Sequence, residues 1–153
     1  VLNQARQATQ FTDKAEGAPV SPFAMTQSQI EEEFAAALAA RPIAPMHAVL
    51  RFENDSLELT AESRARLPRL LQEIARRPAP EVIINGHADR AGSPDHNDKL
   101  SALRAQKVRE AVIKVGVSPD LIELNWFGEN VPTVVTADGV GEPRNRRVEL
   151  TVR

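Results

Sequence analysis

VIINGHADRAGSPDHNDKLSALRAQKVREAVIKVG, residues 82–116, is the stretch that decides the fold. Val82-Ile83-Ile84 is a short continuous apolar run, the pattern of a buried strand. Gly86 and Gly92 then bracket a polar loop that holds His87, Asp89 and Arg90. From Asn97 the period changes. Leu100, Leu103, Val108, Ala111, Val112 and Val115 fall on the inner face of a helix over 97–115, and Gly116 ends it.

Working outward, Ala48, Leu50 and Phe52 alternate as a strand before this unit. Thr60 is a good N-cap, Glu62 suits the first turn, and Leu67, Leu70, Leu71 and Ile74 have helical spacing up to a stop at Pro78. Pro68 inside that helix predicts a kink or a late first turn. Downstream, Ile122, Leu124 and Trp126 alternate in a third strand, with Trp126 placed in the core. Val148, Leu150 and Val152 alternate in a fourth, with Arg147, Glu149 and Thr151 on its other face. The order β-α-β-α-β-β predicts an α+β fold: a two-layer sandwich with a mixed four-stranded sheet and both helices on one face.

Residues 46–153 make up this domain. Residues 1–45 form an N-terminal arm with one helix at about 26–41, which Thr26 or Ser28 caps and Pro42 ends. Ile30, Phe34 and Leu38 give that helix one apolar stripe, suited to packing on the main domain or to self-association with a neighbouring chain or envelope partner. The whole chain has 153 residues, with 19 Lys and Arg against 21 Asp and Glu, a formal net charge of −2. That near-balance argues against a nucleic-acid partner, which calls for a basic excess. With no Cys there is no disulfide frame, thiol nucleophile or Cys-type zinc site. No apolar run approaches a membrane span. The chain opens on Val1, so any membrane attachment is expected through an upstream anchor outside this sequence.

The chemistry gathers around residues 86–104. Asp89 leaves a buried strand end in a Gly-flanked loop, a place where binding groups sit on a rigid scaffold. Asn97 and Arg104 lie seven residues apart, two turns on one helix face, next to the end of that loop. A carboxylate, an amide and a guanidinium can therefore converge. Such a set suits a zwitterion, with Asp89 accepting from an ammonium and Arg104 gripping a carboxylate as a bidentate fork. The spacing leaves a second interpretation equally open: a plain Asp–Arg salt bridge tying loop to helix.

Three ordered motifs carry a resemblance. Gly86, His87 and Asp89, then Asn97, Leu100, Ser101, Arg104, Ala105 and Val108, match Gly-His-x-Asp and Asn-x-x-Leu-Ser-x-x-Arg-Ala-x-x-Val. Gly128, Glu129 and Pro132 match Gly-Glu-x-x-Pro, and Asn145 to Glu149 match Asn-Arg-Arg-Val-Glu. Over about residues 46–153 the chain resembles the OmpA-like peptidoglycan-binding domain, found in OmpA-type porins, peptidoglycan-associated lipoproteins and flagellar stator proteins. The resemblance implies non-covalent binding of peptidoglycan through the diaminopimelate of its stem peptide, in the periplasm or at the outer membrane, with no cofactor and no catalysis. It implies that Asp89 takes the amine and Arg104 the carboxylate. Asn97, Arg146 and the loop around Asn54 are the implied supporting contacts. Glu53 stands where the family often has Asp, and Ala88 where Thr is commonest.

Other patterns point elsewhere. His87, Asp89, Asp95 and His96 together look like a metal set, which would suit a hydrolase acting on wall material through His87, Asp89 and His96. No helical His-x-x-x-His pair supports it, so no metal is assigned, and His87 is expected to bond the loop backbone. Ser101 lacks a nucleophile elbow and is assigned to helix packing. A third possibility is an envelope scaffold with a vestigial pocket, docking through residues 26–41.

Overall fold

The computed structural model describes residues 7–8, 23–39 and 43–153. The chain divides into two compact units, Val1–Pro42 and Ile43–Arg153.

In the first unit, β1 (Gln7–Ala8) pairs antiparallel with β2 (Phe23–Ala24), a pairing that the aperiodic sequence of the first 24 residues does not announce. Helix α1 (Gln27–Glu33) starts at Thr26 with a capping box: Thr26 Oγ1 accepts from the Gln29 N–H, and Gln29 Oε1 accepts from the Thr26 N–H. The single helix expected over 26–41 is broken at Phe34 and resumes as α2 (Ala35–Ala39). Glu31, Glu32 and Glu33 lie in the last turn of α1, where carboxylates oppose the helix dipole, so continuation is disfavoured there. Pro42, the expected stop, and the side chain of Leu38 lie outside the described residues.

The second unit holds β3 (Met46–Arg51), α3 (Ala61–Ala75), β4 (Val82–Gly86), α4 (Pro94–Lys114), a 3-10 turn (Pro119–Leu121), β5 (Ile122–Trp126) and β6 (Arg147–Val152). The sheet order is β3-β6-β4-β5. The β3–β6 and β6–β4 pairs are antiparallel and β4–β5 is parallel, so the sheet is mixed as expected. Leu50, Val82, Ile84, Val148, Leu150 and Val152 point from the sheet into one core, which α3 meets with Leu70 and Ile74 and α4 with Ala105, Val108 and Val112. Each such Val, Leu or Ile side chain stabilises the fold by about 1.5–3 kcal/mol relative to exposure. No helix among the described residues is long and apolar enough to cross a membrane.

Three details differ from expectation. Helix α3 starts at Ala61, so Pro68 lies in its interior and not in a late first turn, forgoing the bond that a residue 68 N–H would make to the Arg64 carbonyl. Helix α4 begins three residues early because Ser93 Oγ caps the His96 N–H and Pro94 fits the first helical position. Trp126, expected in the core, is 47% exposed: it is the last residue of β5, one of the two edge strands. Where β4 meets α4 there is no room for a side chain. A Cβ at Gly86 would stand 2.2 Å from the Ser101 carbonyl oxygen, so glycine lets the helix lie flush on the strand that delivers Asp89.

Candidate functional site

Strand β4 ends at Gly86, and the next residues are stitched between the sheet and the following loop. The His87 N–H donates to the Arg147 carbonyl at 2.9 Å and the Ala88 N–H to the Gly128 carbonyl at 2.8 Å. Asp89 thereby arrives at a fixed place, only 5% exposed. Its Oδ2 accepts from Arg146 Nη1 at 2.9 Å and from the Glu142 N–H at 3.0 Å. Among the described residues, Oδ1 takes no bond.

Asn54, Asp55, Asp89, Gly92, His96 and Asn97 line a cleft of about 300 Å³. Three of the five expected ligand residues are thus brought to one wall: Asn54 from the loop after β3, Asp89 from the loop after β4, and Asn97 from the first turn of α4. Asn97 is buried, and its Nδ2 donates to Glu129 Oε2 at 2.6 Å, which ties the Gly128-Glu129 turn to the cleft. A Cβ on Gly92 would come within 3.0 Å of Asn97 Oδ1, so the loop glycine is what allows this approach.

The two arginines behave differently. Arg104 is 0% exposed. Its Nε donates to the Ser56 carbonyl at 3.0 Å, Nη1 to the His87 carbonyl at 3.3 Å and Nη2 to the Glu53 carbonyl at 3.0 Å. Its guanidinium carbon lies 5.2 Å from the centre of the Phe52 ring. Burial lowers its pKa to about 10, opposed by the Asp89 charge and assisted by Arg146, so it stays cationic at neutral pH. Arg146 is the direct partner of Asp89, and its Nε also donates to the Phe52 carbonyl at 3.3 Å. The salt bridge at this site therefore ties the β4 loop to the start of β6, while Arg104 sits behind it and holds the 53–56 loop by its backbone.

His87, expected to bond the loop backbone, has no hydrogen-bond partner on either ring nitrogen among the described residues. Its ring is 2% exposed and stacks on Phe127 with centroids 5.3 Å apart. Burial, with help from Arg147 and against Glu149, lowers its pKa to about 4 and holds it neutral. It faces Arg147 and Glu149, while His96 pairs with Asp55 at 2.6 Å. Among the described residues no three His, Asp or Glu side chains come together in a way that could hold a metal ion. Ser101 is a packing residue: its hydroxyl donates to the Asp98 carbonyl and accepts from the Gly128 N–H.

Sequence reasoning missed two contributors. The Glu142 N–H bonds Asp89 from a loop that carries no motif of its own. The Asp55–His96 contact was hidden because its members are 41 residues apart. The turn-forming run Asn54-Asp55-Ser56 was the available signal, and Asp55 indeed has φ 43°.

Residues 51–146 match the model of the OmpA family. Over 103 residues the chain is 34% identical to outer membrane porin F of Pseudomonas fluorescens, covering 67% of this chain and 32% of that protein. It is 34% identical over 137 residues to the peptidoglycan-binding protein ArfA of Mycobacterium bovis, covering 89% of this chain and 38% of the relative. That second match extends into the first 45 residues. The chain spans about a third of the length of these relatives. Among solved structures, the peptidoglycan-associated lipoprotein from Burkholderia pseudomallei superposes with a TM-score of 0.60 at 27% identity, over 69% of this chain and 89% of that one. The strand order, the Asp89 loop and the matched residues lead to one conclusion: this chain belongs to the OmpA family.

Proposed function

We propose that this chain binds peptidoglycan non-covalently through the diaminopimelate of the stem peptide, and so tethers an envelope protein to the cell wall from the periplasmic side. The observation that carries the proposal is the open Oδ1 of Asp89, on the wall of the cleft, with the guanidinium groups of Arg146 and Arg104 behind it. Asp89 accepts from the ligand ammonium. The ligand carboxylate meets Arg104, whose Nη1 and Nη2 each donate one bond to the protein and carry one further N–H. That contact leaves the bonds of Arg104 to the Glu53 and Ser56 carbonyls in place. Asn54, Asn97 and Arg146 support the two charged contacts. No covalent step and no cofactor is involved, and nucleic acid is not a partner.

The test is titration of the chain with free diaminopimelate and, separately, with lysine, followed by amide chemical shifts. Lysine lacks the second carboxylate, so shifts near Asp89 and Arg104 are expected with diaminopimelate and much weaker ones with lysine. Equal responses, or none near Asp89, would sink the assignment.

A further inference from the structure

Two exposed side chains at the cleft rim have no part in the proposed ligand contacts. His96 Nε2 lies 2.6 Å from Asp55 Oδ1, and both residues line the cleft. They come from different elements: Asp55 from the loop after β3 and His96 from the first turn of α4. We infer that the Asp55–His96 bridge sets the width of the cleft, and that both are positioning residues for the ligand. This rests on the proposed wall-binding function.

Each side is prepared for the contact. The His96 N–H is capped by Ser93 Oγ, and its Cδ2 would lie 3.0 Å from a Cβ on Gly92, so the ring is laid across the glycine. Asp55 has φ 43°, a left-handed conformation that non-glycine residues adopt where surroundings hold them. From beneath, the same loop is held by α4: Arg104 bonds the carbonyls of Glu53 and Ser56 on either side of Asn54 and Asp55. His96, Leu100 and Arg104 follow at i, i+4 and i+8 along α4, so one helix stripe grips the loop at its base and at its rim. Asn54, a cleft residue without a bond of its own among the described residues, is carried between the two grips. The loop's other ties lie at its base: the Glu53 N–H donates to the Glu58 carbonyl and Lys107 Nζ to the Leu57 carbonyl, both at 2.9 Å. With the rim contact gone, Asn54 and Asp55 are held only through these neighbours and Arg104, and the cleft loses the pre-organisation that favours binding.

The experiment compares the whole chain with His96→Phe, His96→Gln, Asp55→Ala and the His96→Phe/Asp55→Ala double variant. Hydrogen exchange of the 54–58 amides is read without ligand, and diaminopimelate affinity by calorimetry. His96→Phe and Asp55→Ala should each speed exchange in the loop and weaken binding about threefold to fivefold, as suits an exposed pair. The double variant should do no worse than either single one, and His96→Gln, which keeps an N–H donor, should recover part of both effects. Unchanged loop exchange in His96→Phe overturns the inference, as do single effects that multiply. Faster exchange with wild-type affinity overturns it too, by making the bridge merely structural. If the unaltered chain does not bind diaminopimelate, the parent proposal falls and this one with it. If the unaltered chain binds and His96→Phe binds equally, only the bridge falls.

Discussion

Arg146 Nη1 stands 2.9 Å from Asp89 Oδ2, so the carboxylate expected to face Arg104 is bonded to the β6 side of the site. The consequence is a division of the carboxylate. One oxygen is spent on structure, and the other, unbonded among the described residues, is the one proposed to meet a ligand. Removing Asp89 therefore has two separable effects.

Asp89→Ala is expected to abolish co-sedimentation with purified sacculi while the fold survives. It leaves Arg146, largely buried, without its charged partner, at a cost of about 2–3 kcal/mol in urea unfolding. Wild-type sedimentation by this variant would remove Asp89 from the binding site.

Arg104→Lys is not a conservative change here. A lysine head cannot reach three carbonyls arranged around a planar guanidinium. Loss of about 3 kcal/mol is expected, because buried carbonyls are left without donors. Faster exchange of the 53–56 amides should accompany it. A stability within about 0.5 kcal/mol of the parent would show that the carbonyl contacts contribute little.

Acid should destabilise the fold through His87. An unfolded histidine takes up its proton near pH 6.5, whereas the folded one does so only near about 4. Between those values the unfolded chain binds more protons, so stability falls as pH falls and levels off below the folded value. The total effect is about 3 kcal/mol. Urea midpoints from pH 7 to pH 4 should show this slope in the parent and a shallower one in His87→Phe. Parallel slopes would refute the assignment to His87.

Gly86→Ala should be among the most damaging small substitutions. The added methyl would stand 2.2 Å from the Ser101 carbonyl oxygen and 3.0 Å from Ala105 Cβ, so α4 has to lift off β4. A loss of about 3 kcal/mol is expected. Because α4 carries Asn97 and Arg104, diaminopimelate binding should weaken with it. Thermal unfolding checks the first and calorimetry the second.

Most of the main domain was legible because its signals are local. Alternation in 148–152 and helical spacing in 67–74 each mark a buried face, and the motif intervals located Asp89, Asn97 and Arg104. What escaped was non-local. Nothing in the spacing of Asp89 and Arg104 shows that an arginine 57 residues downstream takes the direct bond. Nothing local shows that Arg104 is sealed by carbonyls of a loop 48 to 51 residues upstream. Trp126 was misplaced for a related reason: alternation tells which face a residue points to, but not whether its strand lies at the edge of the sheet. The early start of α4 is written in Ser93-Pro94, an N-cap and a first-turn proline that precede the apolar period.

The order β3-β6-β4-β5 puts the last strand in sequence between the first two of the domain. During synthesis β3 therefore emerges with no neighbour to pair with, and β4 with only β5 to come, until residues 147–152 leave the ribosome. At roughly 5–20 residues per second that wait lasts roughly 5–20 seconds. Any fragment that stops before residue 147 cannot close the sheet, and a nascent chain exposes strand edges for the whole interval. The four-stranded sheet can close only once its final strand has been translated, so folding of this domain waits on the residues that come last.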